Sequence, residues 1–275
     1  GIVQDYDAES DALIASQHAA ARRGTETALA AALSFRHLTA DRVPARRVLE
    51  GEGLSRYCAL FYLDAQMLDA ADVAPLRAYA EAGGTVVFGP RNGYRDRRGW
   101  CHEMPFPGVL RELVGAEVVE FNAIDPQVGS TLVFEGGAEC VAPGINDVLR
   151  ADEDTEVLAC YARHWYADEA AVTVRQVGRG RAVYVGSFLD LVGVAALLDA
   201  LGLGDPLAEW IEAPQEVEIV SRDGEAGPLH VAMNFSAAPQ TVRLRRAVEE
   251  AISGRSLPPG EEVLEPYGVR LYRPS

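Results

Sequence analysis

Residues 165–190, WYADEAAVTVRQVGRGRAVYVGSFLD, decide how the rest of the chain is interpreted. Across residues 171–177 alternate side chains point to opposite sides, which is the period of a β-strand. The glycines of residues 178–180 supply the positive φ that a short hairpin turn needs, and residues 181–187 form the second strand. Asp190 can then cap a helix. The apolar stripe of this helix consists of Leu191, Val194, Leu198 and Leu201. The stretch predicts a structural hairpin followed by a helix, without an obvious catalytic side chain.

Upstream of this hairpin, strand and helix patterns alternate along the chain. The predicted elements are a strand at 1–7, a helix capped by Thr25 and ending near Leu38, a strand at Val43–Leu49, a buried strand at 57–63, a helix opened by Asp72 and a strand at 85–89. Alternating strands and helices are typical of βαβ units. We therefore expect an α/β domain with a mainly parallel sheet flanked by helices, covering residues 1–213.

The composition changes after Leu203, where Gly204, Asp205, Pro206 and Pro214 interrupt the pattern. From Glu216 onward short strands recur about every ten residues, with turns between them and no helical periodicity. This spacing predicts a second, small antiparallel β domain at residues 214–275.

The net charge and amino-acid composition exclude several classes of partner and of catalytic chemistry. The 275-residue chain carries a formal net charge of −16, and all 25 of its basic residues are Arg. Such an acidic chain repels phosphate backbones and anionic lipids, so we expect neither a nucleic-acid nor a membrane partner. The absence of Lys excludes Schiff-base and P-loop lysine chemistry. The chain opens with Gly-Ile-Val rather than Met, and we expect it to begin inside a longer product or to have been trimmed.

Four widely separated cysteines, with no CxxC pair, do not indicate a zinc site, and we expect neither a metal nor a cofactor. Reduced thiols are the default of the cytoplasm, which we expect to be the location of the chain.

Several side chains are candidates for ligand binding or for an interface. Asp5 and Asp7 follow the first strand, where α/β folds place ligands, but strand-end aspartates also commonly stabilise turns. Arg91 belongs to an arginine-rich loop that could bind an anion or pair with carboxylates across a subunit interface. Trp100, Trp165 and Tyr166 could stack on sugar rings, whereas packing in the core is the usual role of aromatic residues.

Cys101, His102 and Glu103 place a thiol, an imidazole and a carboxylate together. Neighbouring residues of an extended loop point in opposite directions, so their adjacency does not build a catalytic group. In glutamine-amidotransferase-like domains the nucleophilic cysteine follows a central strand. Here the turn after residues 85–89 carries Pro90 and Arg91, and no His-x-Glu pair follows later in the sequence, so neither the nucleophile nor the base is in place.

Glu156 to Asp190, EVLACYARHWYADEAAVTVRQVGRGRAVYVGSFLD, resembles the trimerisation domain of family 42 β-galactosidases. The resemblance extends upstream through YCALFYLDAQMLDAADVAPLRAYAEAGGTVVFGPRNG (57–93) and PFPGVLRELVGAEVVEF (105–121). Downstream, VAMNFSAAPQTVRL (231–244) and LEPYGVRLY (264–272) are similar to the small C-terminal domain of these enzymes. The order of the motifs carries the resemblance, because each motif alone is weak.

This resemblance implies a flavodoxin-like or class I glutamine-amidotransferase-like α/β domain followed by a small β-sandwich. The catalytic glutamates of the family lie in an N-terminal barrel that nothing here matches, so no catalytic residue carries over. The implied role is that of a non-catalytic homotrimerisation scaffold for a β-galactosidase whose barrel is its partner. Two alternatives remain: a stand-alone amidotransferase-like hydrolase using Cys101, and a sugar-binding module.

Overall fold

The computed structural model describes residues 1–6, 19–103, 105–125, 128–224 and 227–274. The chain forms two compact units, the first made of Gly1–Leu29 with Asp41–Leu201 and the second of Ala30–Ala40 with Gly202–Ser275. None of the helices in the described ranges is both long and apolar enough to cross a membrane.

The described helices are α1 (Ala19–Phe35), α2 (Ala45–Leu49), α3 (Ala70–Glu81), α4 (Arg111–Val114) and α5 (Leu191–Ala200), with 3₁₀ turns at Leu54–Arg56 and Gly108–Leu110. The strands of the first unit are β1 (Ile2–Gln4), β2 (Arg42–Pro44), β3 (Ala59–Tyr62), β4 (Thr85–Phe88), β5 (Ala116–Ala123), β6 (Ser130–Phe134), β7 (Glu139–Ala142), β8 (Ile145–Ala151), β9 (Thr155–Tyr161), β10 (Ala170–Val177) and β11 (Gly180–Val185). Those of the second unit are β12 (Ile211–Glu212), β13 (Val217–Gly224), β14 (Gly227–Asn234), β15 (Gln240–Leu244), β16 (Val248–Glu250), β17 (Arg255–Leu257), β18 (Gly260–Leu264) and β19 (Val269–Pro274).

A mixed sheet forms the centre of the first unit. Strands β2, β1, β3, β4 and β11 lie side by side in that order, with parallel pairings throughout. Beyond β11 the sheet continues through β10, β9, β6 and β7, and β8 pairs with both β10 and β5, all antiparallel. The expectation of a mainly parallel sheet is therefore wrong for the half of the sheet beyond β11. Its connections, such as the turn between β6 and β7, are too short for the crossovers that parallel strands need.

The stretch at residues 165–190 folds as its sequence predicts. β10 and β11 pair as a hairpin from Val172↔Val185 to Val177↔Gly180, and Gly178 has a φ of 58°. Asp190 caps α5, because its Oδ1 accepts a hydrogen bond from the Gly193 N–H at 2.8 Å. The buried stripe of α5 begins one turn later than predicted, since Leu191 is exposed.

Two local predictions before residue 60 are wrong. The strand predicted at Val43–Leu49 ends at Pro44, which has no N–H for a neighbouring strand, and α2 follows it. Thr25 does not cap a helix but lies inside α1. Its buried Oγ1 donates to the Leu189 carbonyl at 3.0 Å and accepts from the Leu189 N–H at 2.9 Å, which ties α1 to the start of α5.

The helix predicted to open at Asp72 starts slightly earlier. Asp69 is its N-cap, and the Asp69 N–H donates to Asp72 Oδ2 at 2.9 Å in a capping box. Asp72 is therefore the third residue of α3 rather than its cap.

The second unit contains two antiparallel sheets, as predicted for residues after Glu216. Strands β12, β15 and β18 form one sheet, and β13, β14, β19, β16 and β17 form the other. Both sheets supply side chains to one apolar core. Its buried members include Ile211, Leu244 and Leu264 from the first sheet and Ile219, Ala232 and Tyr272 from the second.

Candidate functional site

The carboxyl ends of the parallel strands β1, β3, β4 and β11 meet at one edge of the sheet. Open α/β sheets place their ligands at this edge. Asp5 follows β1, Asp64 follows β3, Arg91 and Asn92 follow β4, and Ser187 follows β11. The chemistry available to the first unit is therefore concentrated here.

Asp5 is buried, and its Oδ2 accepts a hydrogen bond from the Tyr62 hydroxyl at 2.6 Å. It lines an open depression of about 460 Å³ together with Gln4 and Arg97. Arg97 Nε is held by Asp72 Oδ2 at 2.9 Å. Asp7, the other predicted ligand on this strand, lies outside the described residues.

A buried ion pair lies beside Asp5. Arg22 Nη1 lies 3.3 Å from Asp64 Oδ2 and donates to Glu26 Oε1 at 2.8 Å. Burial raises the pKa of Asp64 to about 6, although Arg22 and a hydrogen bond from Gln66 oppose the rise. Within the described part of the chain, Asp64 Oδ2 and Arg22 Nε make no hydrogen bond. The pair is thus incompletely satisfied.

Asp147, on β8, is a completely buried carboxylate at the same edge. It accepts hydrogen bonds from the Arg91 backbone N–H at 2.7 Å, from the Tyr184 hydroxyl at 2.9 Å and from the Tyr94 hydroxyl at 3.4 Å. Burial raises the pKa of Asp147, while these donors and the Arg91 charge oppose the rise. A carboxylate that is buried and bound by three donors is poorly placed to act as a general base toward a ligand.

Arg91 occupies the turn after β4 with a φ of 62°, a conformation that non-glycine residues seldom adopt. Its guanidinium lies 3.7 Å from the ring centre of Tyr94 and 4.3 Å from that of Phe121. This is the position at which an amidotransferase-like domain would need its nucleophile. The side chain found here instead packs between two aromatic rings and offers no nucleophilic atom.

Tyr166 belongs to a second buried network next to Asp147. The Tyr166 hydroxyl accepts a hydrogen bond from Asn146 Nδ2 at 3.1 Å, and the Ser187 hydroxyl donates to Asn146 Oδ1. The Tyr161 hydroxyl donates to the Asp147 carbonyl at 2.9 Å. Tyr166 is fully buried, so no face of its ring is open to a sugar.

Trp100 and Trp165 are exposed on two different loops. Trp100 is 75% exposed and Trp165 is 68% exposed. The Trp165 ring meets the Tyr166 ring edge-on, with 5.2 Å between centres. His164 and Asp168 flank this loop with φ values of 70° and 68°. The Trp165 and Tyr166 rings are therefore in contact, and Trp100 lies on a different loop.

Cys101 is exposed, and the neighbouring His102 is turned elsewhere, with its Nε2 2.8 Å from the Leu68 carbonyl oxygen. Among the described residues, no group of three or more His, Cys, Asp or Glu side chains could hold a metal ion. Burial raises the pKa of the Cys140 thiol to about 12, which removes it as a nucleophile near neutral pH.

Sequence patterns did not identify Asp64 and Asp147 as site residues, for different reasons. Asp64 directly follows the apolar strand pattern at 57–63, so the argument that selected Asp5 would also have selected it. Asp147 lies within β8, where Asn146, Asp147 and Arg150 hide the strand pattern, and no local signal marks it.

Residues 3–204 match the family model described as the β-galactosidase trimerisation domain. The chain belongs to this family. Its matched part is the trimerisation domain of family 42 β-galactosidases. The prediction drawn from the motifs between residues 57 and 190 is thus confirmed, and the amidotransferase-like alternative is not favoured.

Curated relatives of this trimerisation-domain chain are named β-galactosidases. β-Galactosidase BgaB of Geobacillus sp. (strain Y412MC61) is 24% identical over 241 residues, covering 87% of this chain and 36% of the relative. β-Galactosidase BgaA of Clostridium cellulovorans is 25% identical over 224 residues, covering 80% of this chain and 33% of the relative. The chain thus spans about a third of the length of these relatives.

Solved structures share the fold. The β-galactosidase from Bacillus circulans sp. alkalophilus superposes with a TM-score of 0.78 at 21% identity, covering 90% of this chain and 37% of the other. The β-galactosidase from the haloarchaeon Halorubrum lacusprofundi gives a TM-score of 0.76 at 22% identity, covering 99% of this chain and 39% of the other.

Proposed function

We propose that this chain is the oligomerisation and scaffold portion of a β-galactosidase-like glycoside hydrolase, and that it self-associates as a homotrimer. The observation that carries the proposal is the match of residues 3–204 to the trimerisation domain. The trimer would be built on heterologous contacts, in which two different surfaces of neighbouring copies meet and the ring closes.

In the parent enzyme, an N-terminal catalytic barrel would hydrolyse terminal β-galactosides. The role of this chain is then indirect, because subunit packing fixes and shields the mouth of the barrel's active site. The chemistry at the carboxyl edge of the sheet supports this division of labour. The Asp147 carboxylate is already occupied by hydrogen-bond donors of the fold, and Arg91 occupies the turn after β4 where a nucleophile would be required.

We also propose that the parallel half of the sheet is flavodoxin-like or amidotransferase-like. Its order, β2-β1-β3-β4-β11, corresponds to the flavodoxin order 2-1-3-4-5. The domain limits stay predictions at 1–213 for the α/β domain and 214–275 for the β-sandwich. A proteolytic cut between residues 201 and 214 that releases two folded pieces would support them.

Five of the six side chains selected from the sequence lie in the described residues, and they divide by their surroundings. Asp5, Arg91 and Tyr166 are proposed to support the fold, since each side chain is engaged by neighbours in the first unit. Trp100 and Trp165 are proposed as contact residues. A cytoplasmic location remains a prediction, in keeping with four cysteines that are all unpaired.

Native mass spectrometry of the 275-residue chain, together with a chromogenic galactoside assay, tests the proposal. We expect a trimer that does not hydrolyse the galactoside. A monomer would contradict the self-association, and hydrolysis that is lost in Cys101→Ala would favour the amidotransferase-like alternative.

A further inference from the structure

Aliphatic side chains are exposed around β7, the last strand of the mixed sheet. The members of this surface, here called the edge patch, are Val128, Val133 and Val141, and each is at least 37% exposed. A contiguous apolar patch of this kind commonly marks a site of protein–protein contact.

The members of the edge patch are neighbours. Thr131 pairs with Val141 and Val133 pairs with Glu139, which places the two valines diagonally on one face of the β6–β7 hairpin. The Val141 side chain also reaches over Gly129, the residue after Val128. On the other side, the Val141 N–H donates to Asp190 Oδ2 at 3.1 Å, which brings the first turn of α5 to the same strand.

The bond from Val141 to Asp190 also decides how the edge patch can be contacted. It occupies a backbone donor on the outer edge of β7, and an occupied edge is poorly suited to pairing with a strand of another molecule. A partner must therefore bind through side chains, so shape and charge at the patch determine what fits.

An acidic side chain borders the edge patch. Glu139 is exposed and lies directly opposite Val133. The complementary partner is apolar at its centre and carries positive charge beside the apolar group.

The loop Arg95–Cys101, here called the Trp100 loop, combines an exposed apolar side chain with a neighbouring positive charge. Trp100 is 75% exposed, and the Arg98 side chain is exposed without a hydrogen bond or ion pair within the described residues. Asp96 Oδ1 accepts from the backbone N–H of both Arg98 and Trp100 at 2.9 Å, and Arg95 bridges Cys101 across the loop. These contacts hold the loop backbone, which lowers the entropy cost of binding, and tryptophan is enriched among interface hot spots.

One copy cannot bring these two surfaces together. The Trp100 loop bridges to Met67, just beyond β3, and β7 lies six strand spacings from β3. Strands are about 4.8 Å apart, so the two surfaces are separated by roughly 29 Å. We propose that the Trp100 loop of one copy docks on the edge patch of a second copy. The inference rests on the proposed self-association and specifies which two surfaces meet.

Trp100→Ala tests the loop in the complete 275-residue chain. We expect the dissociation constant of the assembly, measured by analytical ultracentrifugation, to rise about thirtyfold, as for the loss of an interface tryptophan. Phe235→Ala, which truncates an exposed aromatic side chain of the second unit, is the matched control and leaves the constant unchanged.

A charge exchange tests the pairing of the two surfaces. Arg98→Glu alone and Glu139→Arg alone are each expected to weaken assembly about tenfold, and the double variant recovers most of the loss. Val141→Asp places a charge inside the patch and prevents assembly, whereas Val263→Asp, on an exposed strand position of the second unit, does not. Circular dichroism of each variant verifies folding.

The outcomes separate this inference from the proposed function. Assembly of the unchanged chain that is insensitive to Trp100→Ala and Arg98→Glu overturns the inference and leaves self-association in place. Sensitivity to Val141→Asp alone would mean that the patch meets a surface of the second copy other than the Trp100 loop, and also overturns it. A monomeric unchanged chain contradicts the proposed self-association and this inference together.

Discussion

Two buried carboxylates at the same edge of the sheet differ in how well their surroundings satisfy them. Asp147 receives three hydrogen bonds and lies where the parallel and antiparallel halves of the sheet meet. Asp64 has an arginine beside it, yet its Oδ2 makes no hydrogen bond within the described residues. Both have a raised pKa caused first by burial.

Burial alone therefore does not assign a role to a carboxylate at this edge. A buried carboxylate that binds three donors from two separate segments stabilises the fold, because its removal leaves those donors unpaired. A buried carboxylate with an incomplete set of partners stabilises the fold less and titrates at a physiologically accessible pH. At the carboxyl edge of this sheet, Asp147 therefore stabilises the contacts between segments, whereas Asp64 contributes less to stability.

The largest effect is expected from Asp147→Ala. The change leaves the Arg91 N–H and the Tyr184 hydroxyl without an acceptor, so we expect the free energy of unfolding of the first unit to fall by about 4 kcal/mol. Urea denaturation measures it. Asp154→Ala, which removes the exposed partner of Arg175, is the control and costs less than about 1 kcal/mol. Equal effects of the two changes would contradict the stabilising role of Asp147.

A pH-dependent effect is expected at Asp64, whose pKa rises from 3.8 to about 6 on folding. The folded state therefore binds this proton more tightly than the unfolded chain does. The stability associated with Asp64 is greatest below about pH 4 and falls by about 3 kcal/mol as the pH rises to about 6. In Asp64→Asn this fall is absent. Denaturation curves from pH 3 to 7 measure it, and parallel pH profiles of the two proteins would refute the explanation.

Tyr166→Phe is expected to have a smaller effect. It removes the acceptor of Asn146 Nδ2 while keeping the buried ring, and we expect a loss of about 1 kcal/mol in thermal or chemical denaturation. Calorimetric binding of a galactoside that disappears in this variant, with stability unchanged, would instead show that Tyr166 contacts a sugar.

The smallest effect is expected at a well-formed ion pair that is only partly buried. Arg111 binds Asp152 through two hydrogen bonds of 2.7 and 2.6 Å, which lower the pKa of Asp152. The stability this pair contributes is present above the unfolded pKa of the carboxyl and is lost as the pH falls. Because solvent screens the pair, Asp152→Asn should cost less than about 1 kcal/mol at neutral pH. A loss comparable to that of Asp147→Ala would mean that exposure is a poor guide to the value of these pairs.

Local patterns in the sequence were sufficient for much of the first unit. The period-2 alternation at 171–177, the glycine turn and the Asp190 cap predicted a hairpin and helix that the structure contains. Such signals lie within a few residues of one another, so no knowledge of distant contacts is needed.

The remaining features depend on distant contacts. Thr25 is of a residue type that often caps helix N-termini, but its hydrogen-bond partner is Leu189, far along the chain. Asp147 lies in a strand whose polar residues find their partners on three other segments, so period and propensity could not reveal it. The mixed character of the sheet follows from β8 and β5, whose pairing is also not local.

The mass of the 275-residue chain in solution shows whether the chain assembles as a trimer. Light scattering after size exclusion, repeated over a series of micromolar concentrations, should give three times the 29.6 kDa of one chain. A mass of one chain at every concentration would contradict the claim that this protein is an assembly scaffold.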